Sequence, residues 1–95
     1  MAKEDYCTVN PDGSVTVALS KTYTFDGAQR EKITLREPTV RDQKLFPAGA
    51  SQKATADAEG KLFAHLADGV TPAQVDDLTI RDYGRLQDAF GFFLD

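Results

Sequence analysis

The chain has 95 residues and a mass of 10.4 kDa, the size of one domain spanning residues 1–95. Surface scaling predicts that folding buries about 64 % of the unfolded chain's area, enough for one modest core and no large enclosed pocket. The net charge of -4 and the pI near 4.8 argue against a surface that binds nucleic acid. The excess negative charge lies in residues 51–95, with four basic and eight acidic side chains.

The N-terminal residues and the single cysteine exclude further classes. Residues 1–5 include acidic side chains where a secretory signal needs a basic and then an apolar run, so we expect the protein to stay in the cytoplasm. The longest apolar run, Ala89–Leu94, is far shorter than the about 20 residues of a membrane span. Cys7 is the only cysteine in the sequence, so no internal disulfide is possible, and we interpret it as a small apolar strand residue rather than a reactive thiol.

Residues 6–25 have the alternating pattern of β-strands. A turn-forming sequence, Asn10-Pro11-Asp12-Gly13, separates a short predicted strand, Tyr6–Val9, from a longer one. Apolar and polar residues alternate from Val15 to Phe25, and Lys21 is the exception on the apolar side. The long strand therefore has one face that needs to be buried.

A hairpin signal follows the long strand. Asp26-Gly27 favours a tight turn, and the alternation resumes over Glu31–Arg36. These features predict an antiparallel β-meander of two to three strands within residues 6–36. Because an isolated ribbon of this kind is marginally stable in water, its apolar face requires a cover.

Two helices are predicted to follow. Thr39-Val40-Arg41-Asp42 resembles a capping box, and the helix near 40–46 that it opens has to end before Pro47. A loop is expected near 47–51. Ser51 is a suitable N-cap for a helix over 52–68 with Gly69 after its end. A helical wheel places Ala54, Ala58, Leu62, Phe63 and Leu66 on one side, and Lys53, Asp57, Lys61, Ala64 and Asp68 on the other.

The last part of the chain predicts a short helical turn and a long amphipathic helix. Thr71-Pro72 is typical of a helix start, and the turn should end near Asp77 with Val75 and Leu78 buried. Thr79-Ile80-Arg81-Asp82 repeats the capping pattern and opens a helix over 80–93. Its apolar positions share an arc of about 140°: Ile80, Tyr83, Leu86, Phe90, Phe93 and Leu94. The prediction is an α+β domain, an N-terminal meander covered by about three C-terminal helices within 39–95.

The residues do not suggest catalysis or a cofactor. His65 lies at the edge of an apolar helix face, and we interpret it as a partly buried helix residue rather than a general base. Asp76, Asp77, Asp82 and Asp88 lack the spacing of a calcium loop and suit a solvated acidic face. We therefore expect a non-catalytic interaction protein without metal, nucleic acid or membrane among its partners.

The most suggestive segment is the C-terminal sequence Phe90-Gly91-Phe92-Phe93-Leu94-Asp95. Either Gly91 ends the helix and Phe92 folds back onto the core, or Phe92 is a surface anchor for a partner. The hypothetical partner-binding residues are Tyr83, Leu86, Phe90, Phe92, Phe93 and Leu94.

The order of these motifs resembles a known family. The segments Val15–Lys21, Phe25–Gly27, Ile33–Asp42 and Leu78–Gln87 look like those of the phage tail assembly chaperone family of contractile-tailed, Mu-like phages and prophages. The Leu35-Arg36-Glu37-Pro38-Thr39 block after the hairpin is the more specific part. Phe46-Pro47-Ala48-Gly49 departs from the pattern, because relatives tend to continue the first helix there.

The resemblance implies a cytoplasmic protein of the host cell that is absent from the mature virion. It would bind the long, helical tape measure protein and keep it soluble during tail morphogenesis. A frameshifted longer form of the chaperone itself and a homo-oligomer are further implied partners. The alternative is a structural tail or head-completion subunit that stays in the virion.

Overall fold

The computed structural model describes residues 5–46 and 51–94 and has the α+β architecture that the sequence predicts. Its strands are β1 (Cys7–Val9), β2 (Val15–Phe25) and β3 (Ala28–Leu35), in the antiparallel order β1-β2-β3. The helices are α1 (Val40–Leu45), α2 (Gln52–Leu66), α3 (Pro72–Asp76) and α4 (Ile80–Gly91), followed by a 3-10 turn over Phe92–Leu94. The meander and its helical cover are confirmed.

The hairpin between β2 and β3 is tighter than the sequence pattern indicated. Asp26 and Gly27 have φ angles of 53° and 80°, which is the two-residue turn that matches strand twist. Pairing therefore starts directly at Phe25 with Ala28, and β3 begins three residues before the predicted Glu31. Ala28 and Gln29 are exposed and Arg30 is half-buried, so this part of β3 lacks the apolar alternation that predicts a strand.

β2 contains an irregularity at the position of Lys21. Ala18 pairs with Lys32, and the next pair is Tyr23 with Arg30, so residues 19–22 lie opposite Glu31 alone. The bulge frees the Ser20 amide from the β ladder, so that this amide binds Asp82 instead, and Lys21 is exposed. The exception in the alternation thus marks a real break in the ladder.

One apolar core lies between the sheet and the helices. The buried strand residues come from one face of the sheet: Val15, Val17, Tyr23, Ile33 and Leu35. The helices and their connections contribute Leu62, Phe63, Leu66, Val75, Leu78, Leu86 and Ala89. Val75 and Leu78 are buried as predicted, and Cys7 is a buried residue of β1.

α2 ends at Leu66 rather than at the predicted Asp68. Ala67 has extended backbone angles and forms a bridge with Leu35, while the Asp68 amide donates to the Thr34 carbonyl. The edge of β3 thus ends the helix two residues early. Gly69 still adopts a positive φ of 73°, but it serves the connection rather than the helix end.

Two positions face the opposite way from the wheel prediction. Ala64 is buried, because it lies one turn after Gly60 on a side of α2 that packs against α3. Ile80 is 93 % exposed, because the fully buried Asp82 takes the core-facing position two residues later. The wheel assumed that carboxylates face water, and this assumption fails in α4.

The predicted loop at 47–51 falls mainly outside the described residues. Within the described part, α1 ends at Leu45 before Pro47, and the Ser51 hydroxyl accepts the Ala54 amide as the N-cap of α2. The end of α1 and the start of α2 thus lie where Pro47 and Ser51 predict them.

Candidate protein-binding surface

An aromatic cluster joins α2 to the end of α4. The Phe63 ring is buried, with its centroid 5.6 Å from that of Tyr83 and 5.8 Å from that of Phe90. Phe93 meets Phe90 edge to face at 6.0 Å. Only Phe63 is fully buried; the other three rings are half-buried and present an apolar surface beside the core.

The C-terminal residues continue this surface. α4 ends at Gly91, and Phe92 is half-buried against the core, which is the fold-back alternative. Leu94 is 74 % exposed, whereas Leu86 is 1 % exposed beneath α4. Of the hypothetical partner-binding residues, Leu86 is thus a core residue that no partner reaches in this conformation. Tyr83, Phe90, Phe92, Phe93 and Leu94 remain accessible in whole or in part.

A groove of about 520 Å³ lies between α1 and α2 and extends to Phe90. Its apolar lining includes Phe46, Ala58, Leu62 and Phe63, with Lys44 on one side and Glu59 on the other. The sequence did not identify the α1 side of this groove, since the pairing of α1 with α2 is a tertiary feature. The one signal was Phe46, a large apolar residue next to a helix-breaking proline.

Hydrogen bonds to Glu59 hold the α2 side of the groove against α4. The Tyr83 hydroxyl donates to Glu59 Oε1 at 2.6 Å, and Gln87 Nε2 donates to the same oxygen at 3.0 Å. Burial of Tyr83 and the Glu59 carboxylate raise the pKa of the phenol well above its ordinary value. The phenol therefore stays neutral and keeps donating, which ties α4 to α2 under the aromatic cluster.

Hydrogen bonds to Asp42 hold α1, which forms the other side of the groove. The Asp42 carboxylate accepts two hydrogen bonds from Arg36, at 2.8 and 2.9 Å, and one from the Thr39 amide at 2.9 Å. Arg36 and the Thr39 amide lower the pKa of Asp42 well below its ordinary range. His65 Nε2 lies 3.2 Å from the same carboxylate, and its ring contacts Phe46 at 5.4 Å. His65 is thus a half-exposed helix residue that links α2 to α1.

Asp82 has the corresponding role at the start of α4. Its carboxylate accepts the Ser20 amide at 2.7 Å, the Ser20 hydroxyl at 2.9 Å and the Tyr23 hydroxyl at 2.5 Å. Burial raises the pKa of Asp82, but the hydrogen bonds from Tyr23, Ser20 and Thr79 outweigh this and lower it. The buried carboxylate thus satisfies the donors that the β2 bulge releases.

The described residues contain neither a candidate metal-binding cluster nor a helix that could span a membrane. Within residues 5–46 and 51–94, no three His, Cys, Asp or Glu side chains are grouped so as to hold a metal ion. A membrane span would need a longer and more apolar helix than the described part of the chain contains.

Comparison with known proteins adds one finding. The sequence model of a protein family described as "Phage tail assembly chaperone proteins, E, or 41 or 14" matches residues 16–95. Comparisons with curated proteins and with solved structures gave no match. The matched region runs from β2 through the C-terminal aromatic segment.

Proposed function

Because the chain belongs to the phage tail assembly chaperone family, we propose that it binds the tape measure protein and keeps it soluble during tail morphogenesis. The client surface in this proposal is the groove between α1 and α2 together with the accessible aromatic end of α4. The protein acts in the host cell cytoplasm and is left out of the mature virion. A frameshifted longer form of the same chain and further copies of it are the other proposed partners.

The observation that supports this proposal is the continuity of apolar surface from Phe46 through Phe90 to Phe93. Phe90 lines the groove and its ring meets that of Phe93 at 6.0 Å, and half-buried Phe92 and exposed Leu94 flank Phe93 in the 3-10 turn. An amphipathic helix binds such a surface by inserting residues spaced three and four apart. A long helical client can therefore cover its apolar stripe with several chaperone copies, each using one groove.

The charge distribution suits the same role. Residues 51–95 carry a net charge of -4, and this half also holds the aromatic surface. Acidic side chains around an apolar site keep the protein soluble while the site is empty. The function requires binding alone, so it needs no catalytic group.

Co-expression with the tape measure protein of the same genome tests the proposal. Wild-type chaperone should keep most of the client soluble and co-purify with it. Leu94→Asp should weaken binding about tenfold, because it puts a carboxylate at an exposed apolar contact. The matched control is Val9→Asp, at a 58 % exposed apolar residue of β1 on the sheet.

The result that would refute the proposal is a client whose solubility does not depend on the wild-type chain. Mass spectrometry of purified virions tests the alternative. A structural tail or head-completion subunit would be present in particles, whereas the chaperone should be missing from them.

A further inference from the structure

A second groove lies where α2, α3 and the start of α4 meet, and Tyr83 of the aromatic cluster lines one side of it. Its larger part has a volume of about 250 Å³ and is lined by residues that include Gly60, Val75, Leu78 and Ile80. A smaller part of about 110 Å³ adjoins it and shares Asp57, Gly60 and Asp76. The larger part falls below the roughly 300–1,000 Å³ of small-molecule pockets, so it suits inserted side chains better than a metabolite.

Ile80 projects from one wall of this groove into solvent. It is 93 % exposed, the highest value among the large apolar side chains in the described residues. Its helix buries Asp82 instead, so the isoleucine contributes little to the core. A branched apolar side chain beside an apolar groove has the properties of a partner contact.

Gly60 forms the floor of the groove and has no packing reason to be glycine. A glycine inside a helix costs about 1 kcal/mol relative to alanine. A Cβ at Gly60 would meet one atom within 4 Å among the described residues, Val75 Cγ1 at 3.9 Å, which is an ordinary contact. Alanine therefore fits the fold, and the bare backbone leaves space for a side chain from outside.

The charges around the groove define the chemistry of its occupant. Asp57 and Asp76 are exposed and line both parts. Lys53 pairs with Asp57 at 3.1 Å, but both groups are exposed, so water screens this pair strongly. Lys61 lies at the small end, away from Ile80. The larger part thus combines an apolar floor with two carboxylates.

We propose that this acid-rimmed groove binds an amphipathic helix of the client whose apolar stripe is flanked by lysine or arginine. The client's apolar side chains lie over Gly60 and against Ile80, and its cations face Asp57 and Asp76. This inference rests on the proposed function and adds a second, acid-rimmed contact beside the aromatic groove. The two contacts together would select a client helix by charge as well as by apolar surface.

Competition binding tests the proposal. Each purified chaperone variant competes with labelled wild-type chaperone for the tape measure protein in their soluble complex, and the affinity of the variant for the client is measured. Ile80→Lys should weaken binding of the tape measure protein about tenfold. Asp57→Lys and Asp76→Lys should each weaken it about threefold and reduce its salt dependence, because they reverse the charge that meets the client's cations. Gly60→Leu fills the floor and should weaken binding as strongly as Ile80→Lys.

Matched variants separate the possible outcomes. Glu31→Lys makes the same charge change on exposed β3, outside the groove, and should leave binding unchanged. Circular dichroism and melting curves establish that each variant is folded, and Ile80→Lys carries the test if Gly60→Leu unfolds. Client binding equal to wild type in folded Ile80→Lys, Asp57→Lys and Asp76→Lys would overturn the inference and leave the proposed function intact.

Two further results have distinct meanings. If wild-type protein does not bind the client, the proposed function fails first. If the groove variants bind the client normally but lower the mass of the free chaperone in light scattering, the groove holds a second copy of this chain and the client assignment is wrong.

Discussion

Two helices of this protein begin with nearly the same four residues and use them differently. At the start of α1, Asp42 closes the capping box: its carboxylate accepts the Thr39 amide while its own amide donates to the Thr39 hydroxyl. At the start of α4, the Asp82 amide also donates to the Thr79 hydroxyl, but the Thr79 amide donates to the Tyr23 hydroxyl instead. The Asp82 carboxylate reaches β2.

The difference arises from what each helix start lies beside. α1 follows the end of β3, where Arg36 is available and solvent remains close. α4 lies across the bulge of β2, where exposed Ser20 and buried Tyr23 both donate to the buried Asp82 carboxylate. The local sequence thus specifies where a helix begins, whereas the tertiary surroundings decide which donors its first acidic residue binds.

The largest effect should come from Asp82→Ala. This change leaves the Ser20 amide and the Tyr23 hydroxyl without their buried acceptor, at about 1–3 kcal/mol for each unsatisfied group. We expect the free energy of unfolding to fall by about 2–4 kcal/mol, measured by urea denaturation. Asp42→Ala should destabilise the protein less, because the Arg36 side chain is 48 % exposed and water can replace the carboxylate.

An equal loss in the free energy of unfolding for Asp42→Ala and Asp82→Ala would contradict the proposed difference between the two helix starts. Hydrogen exchange gives a second criterion. Asp42→Ala should deprotect the amides of α1 and leave β2 and α4 protected, whereas Asp82→Ala should deprotect β2 and α4 together, because Asp82 at the start of α4 binds the Ser20 amide of β2.

The same contrast explains how much of the fold the sequence could predict. Both bounds of β2, the start of α4 and the burial of Val75 and Leu78 follow from alternation and capping residues, which act locally. The end of α2 could not be predicted, because Ala67 leaves the helix to bridge Leu35 from a different part of the chain.

Surface predictions fared less evenly for a related reason. The C-terminal aromatic residues stood out by composition, but a wheel that places every apolar residue inward put Ile80 in the core and Asp82 in water. The helical wheel misplaced these two residues because it did not include the β2 bulge. A buried carboxylate is favourable only where hydrogen-bond donors are present, and the bulge provides them. Neither groove could be predicted, because each is formed by residues from separate helices.

At low pH, protonation of Asp42 should cost more stability than protonation of Asp82, the reverse of the order expected for the two alanine variants. Both carboxylates have a folded pKa below the ordinary value of about 3.9, so each contributes stability that is present above about pH 4 and is lost as the pH falls through the folded pKa. The pKa of Asp42 is lowered more than the pKa of Asp82. Arg36 is the main cause at Asp42, whereas burial opposes the downward shift at Asp82. Asp42→Asn should therefore flatten the acid loss of stability more than Asp82→Asn does.

Urea denaturation of the wild type and both Asn variants between about pH 5 and pH 2 measures these slopes. A steeper dependence remaining in Asp42→Asn than in Asp82→Asn would contradict the assignment of Arg36 as the main cause.

The smallest expected effects are at the capping threonines, and they separate the cap from the carboxylate. Thr39→Ala should cost about 0.5 kcal/mol, because an exposed hydroxyl at a short helix is easily replaced by water. Thr79→Ala should cost about 1–2 kcal/mol, since the Thr79 hydroxyl also lies 3.3 Å from the Tyr23 hydroxyl and completes the buried network. Thr→Ser at each site keeps the accepting oxygen and should restore most of the loss in urea denaturation. Equal losses at the two sites would mean that the network at Asp82 does not depend on its cap, and the contrast between the two helix starts would then rest on the carboxylates alone.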